Sequence, residues 1–452
     1  MKFGNALRPE ALHQGKGDGS PPTASPVSPR RWTELALAVA AFAALCVVTL
    51  SVAPQSAEPD DGAYRASIVA ITEGQFLTLS SAQAQALAGR LRDNPAAPPN
   101  QWVEVTPGRY ISEKDPGYPF LAAPFEKLGI IRWAPLSFGA LACLGLFVGA
   151  RRWLGPWGGA AAVGLYCSSS AALAFAWRDY MPTFTDASLV AAGCGLLMWA
   201  MLATEASPRR RRWVGLAGLL ALEMAAFVRY TNVVILVFTV ATLMIAWRLR
   251  DVMLPLRTLY WWLASVAGFA VGVAMFDTAV YGGPLTTGYQ PGEVTFALHA
   301  IGPNLRLMPP HLLQAMPALV LGAVSAVWIA VRGVMLLRSD RSDHTDRVAG
   351  AAARRDLWVA LPLASAWLAV WALYATYTWT ADPTSVSVQV IRFYLPALGP
   401  IATLGAWLVT RIPGRGWVTG LTVTAVTVAL FTQGTSAFHA MYAAFGVPLN
   451  GG

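Results

Sequence analysis

The sequence predicts an all-α polytopic membrane protein, and its composition, hydropathy and arginine distribution each support that class. Of its 452 residues, 55% are hydrophobic and only 13% are charged, whereas a soluble domain carries about 25% charged residues. Mean hydropathy is +0.48. The formal net charge is +9, but the basic residues stand in short runs between apolar segments. Such runs anchor cytoplasmic loops, so we expect membrane lipid as a partner and no nucleic acid.

Apolar stretches of helix length predict about eleven membrane spans of roughly 20 residues each. They lie near 32–53, 131–150, 157–176, 186–204, 213–228, 230–247, 259–280, 312–337, 357–377, 392–411 and 416–434. A cytoplasmic N-terminus places on the cytoplasmic side five loops that each contain Arg, as the positive-inside rule favours; they are 151–156, 205–212, 248–258, 338–356 and 411–415. The sequence therefore predicts a multi-pass protein of the inner (cytoplasmic) membrane with its long loops outside.

The predicted organisation has three parts. Residues 1–31 are rich in Gly, Pro and Ser and predict a disordered cytoplasmic tail. Residues 32–434 form one transmembrane domain whose large first external loop, 54–130, carries interfacial helices, and 435–452 form a short external tail. Within that loop, Ser80 is a good N-cap before a run of helix formers, which predicts an amphipathic helix along the membrane surface. Tryptophans at span ends, including Trp379, are typical of interface anchors.

Adjacent carboxylates, Asp60 and Asp61, follow the first span directly. Acids near lipid cost free energy, so an intramembrane or juxtamembrane pair suggests a function. The alternative is an N-cap for an interfacial helix that begins at Gly62, although two acids exceed what one cap needs. The functional hypothesis makes this pair the first candidate for catalysis.

Further charges fall at the predicted external ends of other spans. The alternative is that these charges form a water-exposed surface around the external face. Such a surface does not explain charges placed against apolar span ends, where desolvation costs free energy. Individually they also fit a snorkelling anchor, a surface ion pair, a helix cap or a loop charge. These candidates are Lys114, Arg178, Asp186, Arg229 and Arg392.

Carboxylates and cations on one membrane face suit the transfer of a phosphate-activated group. A carboxylate can take a proton from an acceptor hydroxyl, and Lys or Arg can hold a leaving phosphate. An apolar groove between spans can hold a lipid tail. The sequence has no P-loop and no Rossmann glycine pattern after a strand, so a nucleotide-activated donor is not expected.

Five segments, in order and on one side, resemble the GT-C superfamily of integral membrane glycosyltransferases. The likeness is greatest to protein mannosyltransferases, the aminoarabinose transferases of lipid A and bacterial family-39-like members. The matching segments are Asp60-Asp61 after the first span, Ser112–Pro124 before the second, Thr185-Asp186, the Gly-rich Tyr281–Tyr289, and Arg392–Leu398. The second acid, Asp61, stands where Glu is commoner.

The resemblance covers roughly residues 32–400 and implies a GT-C-type bundle of about 11 transmembrane helices. It implies inverting transfer of a hexose or pentose from a polyprenyl-phosphate-linked sugar donor to a glycan, lipid or protein acceptor on the external, periplasmic face. The implied catalytic residues are Asp60, as general base, and Asp61, as its helper. Asp186 would orient the acceptor, or bind a divalent metal if the reaction uses one. The implied substrate-binding residues are Lys114, Arg178, Asp186, Arg229, Arg392 and Tyr394, with Lys114 and Arg392 on the lipid phosphate.

Two other classes stay open at this point. A transporter or flippase of lipid-linked sugars would place charges near the bilayer midplane on broken helices, whereas most charges here lie at span ends. A structural partner in envelope synthesis has no specific sequence feature in its favour.

Overall fold

The computed structural model describes residues 29–52, 59–91, 99, 101–248, 255–289, 292, 294–338, 344–382, 388–412 and 416–444. The predicted tail, 1–31, lies almost wholly outside these ranges. A helix already begins at Pro29, and the last described helix runs through Ala444, into the predicted external tail 435–452.

Seventeen α-helices and three short strands make up the described part of the chain. The helices are α1 (Pro29–Leu50), α2 (Pro59–Thr72), α3 (Ser81–Arg90), α4 (Gly117–Lys127), α5 (Trp133–Leu154), α6 (Gly158–Cys167), α7 (Ser170–Ala176), α8 (Thr183–Leu202), α9 (Pro208–Val228), α10 (Val233–Arg248), α11 (Leu256–Tyr281), α12 (Ile301–Ala315), α13 (Ala318–Arg338), α14 (His344–Ala375), α15 (Val388–Ile391), α16 (Leu398–Thr410) and α17 (Gly416–Ala444). The strands are β1 (Thr78–Ser80), β2 (Trp102–Thr106) and β3 (Arg109–Ser112).

Eight helices among the described residues are long and apolar enough to cross a membrane, and the bent pair α6–α7 makes a ninth span if it counts as one. The two helices of that pair meet at 64°. The remaining two predicted spans correspond to α9, which begins with four arginines, and to α16, which has only 13 residues. The protein is thus a mainly helical, multi-pass membrane protein, while the count of eleven spans stays a prediction.

Helix α8 lies at the centre of the bundle, and 83% of the residues in its apolar stretch are buried. It packs closely against α5 through glycines. A Cβ at Gly195 would collide with the backbone of Gly145, and a Cβ at Gly149 would collide with the carbonyl of Gly195. Small residues bring membrane helices into close contact in this way. Because α8 is central, charges in its first turn are buried inside the protein.

The segment between α1 and α5 folds over one end of the bundle. Ser80 caps α3 through a reciprocal capping box with Gln83, which confirms the predicted N-cap. An antiparallel sheet lies beside it, in the order β1-β3-β2, and was not predicted from the sequence. Leu79, Leu87 and Trp102 form a small core between α2, α3 and this sheet. The position of α3 along a membrane surface stays a prediction.

Candidate active site

A cavity of about 600 Å³ opens at the end of the bundle that the sheet segment covers. Its walls come from the start of α2, the connection from β3 to α4, the end of α9, the end of α14 and the segment before α16. Its charged lining residues among those described are Asp60, Lys114, Asp115, Arg229 and Arg392. Cations and carboxylates from distant parts of the chain therefore line one cavity.

Asp60 lies between two cations. Its Oδ1 is 3.1 Å from Lys114 Nζ, and its Oδ2 is 2.8 Å from Arg392 Nη2. The position of Asp60 in the first turn of α2 also favours negative charge, because the helix dipole is positive there. Burial by itself would raise the pKa of Asp60, but Arg392 and Lys114 outweigh burial and lower that pKa to about 2. Asp60 is therefore held as an anion.

Local contacts fix both cations. The backbone N–H of Lys114 donates to Ser112 Oγ at 3.2 Å, and Ser112 in turn accepts a hydrogen bond from Ser67 of α2 at 2.9 Å. The end of β3 is thereby pinned beside Asp60. The Arg392 guanidinium lies 4.9 Å from the ring centroid of Phe393 and 5.7 Å from that of Trp379. Cation–π contacts of this kind stabilise a buried guanidinium.

Arg229 lines the cavity from the end of α9, and Asp186 holds it there. Arg229 Nε is 3.6 Å from Asp186 Oδ2, and its Nη1 donates to the Arg392 carbonyl at 3.1 Å. Asp186 also accepts a hydrogen bond from the Asn232 side chain and is fully buried in the first turn of α8. Asp186 does not line the cavity. Its contacts are those of a residue that positions Arg229.

Asp61 points away from the cavity. Its Oδ2 is 2.5 Å from Arg178 Nη2, and the two side chains are 2% and 6% exposed. Neither residue lines the cavity. Tyr394 is also buried outside it, with its ring against Trp371 and Tyr374. Of the eight predicted site residues, four line the cavity: Asp60, Lys114, Arg229 and Arg392.

Asp115 is a cavity residue that the sequence analysis did not select. It follows Lys114 directly, is 8% exposed, and lies near the backbone of Tyr230. Burial raises the pKa of Asp115 to about 7, although Arg229 and Lys114 act to lower it. Its position next to Lys114, a predicted phosphate-binding residue, could have identified Asp115 as a candidate from the sequence.

Aromatic rings form much of the remaining wall. Trp379, interpreted from the sequence as an interface anchor, lines the cavity beside Arg392 and packs against Phe393. The other aromatic lining residues among those described are Tyr64, Tyr230, Tyr289, Phe296, Tyr374 and Tyr377. Their faces give the space beside the charges an apolar wall.

The side chains present do not fit a divalent metal. Within the described ranges, no three His, Cys, Asp or Glu side chains come together. The carboxylate oxygens of Asp60 contact Lys114 and Arg392, and those of Asp186 contact Arg229 and Asn232. Three cations around the cavity favour an anionic ligand instead.

Comparison with known proteins gives structural likeness only. No protein-family model matches the chain, and no curated protein matches it significantly. The structure of ArnT from Cupriavidus metallidurans bound to undecaprenyl phosphate is similar, with a TM-score of 0.49 and 15% identity over 93% of this chain and 77% of that one. The apo oligosaccharyltransferase of Archaeoglobus fulgidus has a TM-score of 0.49 and 10% identity, over 90% of this chain and 56% of that one. The apo state of the same ArnT has a TM-score of 0.44 and 15% identity, over 92% and 76%.

Proposed function

We propose that this protein is an inverting membrane glycosyltransferase that moves a hexose or pentose from a polyprenyl-phosphate donor to an acceptor at the external face of the inner membrane. The observation that carries the proposal is the Lys114–Asp60–Arg392 bridge inside the cavity. It joins three segments that resemble GT-C motifs, and it offers both a carboxylate and a double cation site. A glycan, a lipid or a protein hydroxyl can be the acceptor.

Lys114 and Arg392 suit the phosphate of the donor. The leaving group gains negative charge as the sugar–oxygen bond breaks, and cations fixed in advance stabilise that charge most strongly where water is excluded. Arg392 contributes a planar fork that matches phosphate oxygens, and Lys114 a compact charge. Their side chains are 11% and 7% exposed, so solvent screens them little. The apolar wall around Trp379 leaves room for a sugar face or an isoprenoid tail.

An aspartate of the cavity takes the proton of the acceptor hydroxyl in this proposal. Of the two catalytic aspartates predicted from the sequence, Asp60 lines the cavity and Asp61 does not. Asp60 also holds Lys114 and Arg392 where a phosphate would meet both. Asp61 keeps a supporting role through its ion pair with Arg178.

The external placement is supported by the two ends of α9. Its first turn carries Arg209 to Arg212, and Arg229 follows its last turn at the cavity. Twenty helical residues span about 30 Å, the thickness of the hydrocarbon core. Arginine runs mark the cytoplasmic side, so the cavity belongs at the other side.

Transfer is favoured over transport of the intact lipid by where the charges lie. Asp60, Lys114 and Arg392 all fall outside the candidate spans. The bent span α6–α7 carries Ser168 and Ser169 at its break rather than charged residues. Transporters of lipid-linked substrates would use charges near the midplane on such breaks.

Purified protein in lipid nanodiscs tests the proposal. Undecaprenyl phosphate carrying one labelled hexose or pentose is added with an extract of membrane glycans and lipids, and both transferred label and released undecaprenyl phosphate are measured. We expect consumption of at least one sugar class, and its loss in Lys114→Ala and Arg392→Ala. Arg90→Ala, an exposed arginine paired with Glu73, is the matched control. Movement of intact donor across a liposome membrane without cleavage would support a flippase instead.

A further inference from the structure

Two carboxylates line the cavity, and their surroundings differ. Asp60 has a cation against each of its oxygens, at 3.1 and 2.8 Å. Asp115 lies near the backbone of Tyr230 and interacts electrostatically with Arg229 and Lys114. Lys114 sits between the two acids in the wall, since its Nζ contacts Asp60 and its backbone adjoins Asp115. Asp60 is thus the cavity carboxylate with a direct ion pair at each oxygen, whereas Asp115 interacts with its neighbouring cations at longer range.

The two ion pairs of Asp60 make it a poor proton acceptor. Each direct ion pair stabilises the anion, and a proton could bind only by giving up one of them. The same contacts make Asp60 well suited to keep Lys114 and Arg392 apart and oriented for a phosphate. A base must also reach the acceptor hydroxyl, and both oxygens of Asp60 already contact the two cations that would hold the donor phosphate.

Resting on the proposed glycosyl transfer, we propose that Asp115 is the general base of the reaction, while Asp60 stays ionised and positions the two phosphate-binding cations. The acceptor O–H gives its proton to an Asp115 oxygen, and the acceptor oxygen forms the new bond to the anomeric carbon. The bond from that carbon to the phosphate oxygen breaks, and its electron pair stays on the polyprenyl phosphate, held by Lys114 and Arg392. Protonated Asp115 then returns its proton to water.

The electrostatic environment supports this division of work. A general base is most effective when its pKa lies near the working pH, and burial raises the pKa of Asp115 to about 7 while that of Asp60 falls to about 2. Environments that separate the pKa values of two neighbouring carboxylates are how enzymes divide acid and base roles. The charged and titratable groups that interact electrostatically with Asp115 among the described residues are Lys114, Arg229, Asp186, Asp277, Tyr64, Tyr230, Tyr281, Tyr289 and Tyr374.

The test is the pH dependence of single-turnover transfer in nanodiscs. In wild-type protein the rate should rise with pH through about 7, because only ionised Asp115 accepts a proton. Asp115→Asn should lower the rate by roughly 10²–10⁴-fold and remove that rise, whereas Asp115→Glu should restore part of both. Asp60→Asn should slow transfer but keep the rise.

Asp179→Asn is the matched control, because burial also raises the pKa of Asp179, to about 6, and Asp179 lies outside the cavity. This variant should keep both the rate and the pH profile. Undecaprenyl phosphate binding serves as the folding check for Asp115→Asn, since the cation pair is intact there.

Asp115→Asn protein that binds undecaprenyl phosphate and retains the wild-type rate and pH profile would overturn the assignment of Asp115 alone. Wild-type protein that consumes no polyprenyl-phosphate sugar would overturn the proposed function together with it.

Discussion

Asp60 and Arg392 come from opposite ends of the chain, and their side chains meet at 2.8 Å in the cavity wall. The contact ties the first turn of α2 to the segment before α16, and Lys114 completes it from the end of β3. Three elements that are far apart in sequence are thereby held around one anion-binding position.

Arg392→Ala should weaken the binding of undecaprenyl phosphate by about 10- to 100-fold, because a hydrogen bond to a charged group contributes about 1.5–3 kcal/mol. Arg392→Lys should recover part of the loss, since it keeps the charge but not the fork. Binding to purified protein measures this, with Arg90→Ala as control and undecaprenol as the ligand without phosphate. Equal affinity for undecaprenol and undecaprenyl phosphate would argue against a phosphate site.

Asp60→Asn should bind undecaprenyl phosphate more tightly than wild type, by about tenfold. The carboxylate competes with an incoming phosphate for Lys114 and Arg392 and repels it, and the amide does neither. The same titration as for Arg392→Ala measures the change. Weaker binding by Asp60→Asn would mean that the positioning of Lys114 and Arg392 by Asp60 outweighs its competition with the phosphate.

Asp61 and Arg178 should behave as a structural pair. Breaking a buried ion pair by removing one partner costs about 3–5 kcal/mol, so Asp61→Ala should lower the melting temperature strongly. A double-mutant cycle with Arg178→Ala should give a favourable coupling of about 0.5–3 kcal/mol. Turnover per folded molecule should fall much less than in Asp115→Asn. A stable Asp61→Asn variant without any turnover would mean that Asp61 has a catalytic role and not only a structural one.

The difference in stability between Asp115→Asn and wild type should depend on pH. The pKa of Asp115 is about 7 in the folded protein, above its ordinary value of 3.8, so the native state binds the proton more tightly. The free energy of unfolding of wild type therefore declines as pH rises from roughly 4 to 7. Above pH 7 it stays lower than at pH 4 by the stabilisation that protonated Asp115 had provided. Asp115→Asn should match wild type at pH 4 and melt at a higher temperature at pH 8. Thermal unfolding measures both, and a gap of equal size at the two pH values would contradict the raised pKa.

Labelling tests the sidedness of the cavity. Thr106 is exposed in β2, on the segment that covers the cavity, and Arg209 is exposed at the far end of α9. In a background without the native cysteines, an impermeant thiol reagent applied to intact cells with a permeabilised outer membrane should label Thr106→Cys. It should not label Arg209→Cys until the inner membrane is opened. The reverse pattern would place the cavity in the cytoplasm.

The class of fold could be predicted from the sequence because hydropathy is a local property. A run of apolar residues long enough to cross a bilayer identifies itself without knowledge of its neighbours, and Ser80 likewise carries its own capping signal. The strands were missed because each has only three to five residues, too few for an alternating pattern to stand out. The place of Trp379 in the cavity wall could not be predicted, because a tryptophan at a span end looks the same in sequence whether it faces lipid or a cavity.

The candidate site was predictable only in part. The sequence identified Asp60, Lys114, Arg229 and Arg392 from charge at span ends, and only the tertiary structure brought them to one cavity. The tertiary structure also determined which of two adjacent aspartates, Asp60 or Asp61, lines the cavity. Adjacent residues on a helix project about 100° apart, so Asp60 faces the cavity while Asp61 turns to Arg178. Asp115 faces the cavity because the turn after β3 directs it inward, against the end of α9. Sequence determines which charges exist and which stretches span the membrane, but direction and partner depend on packing between segments that are distant in the chain.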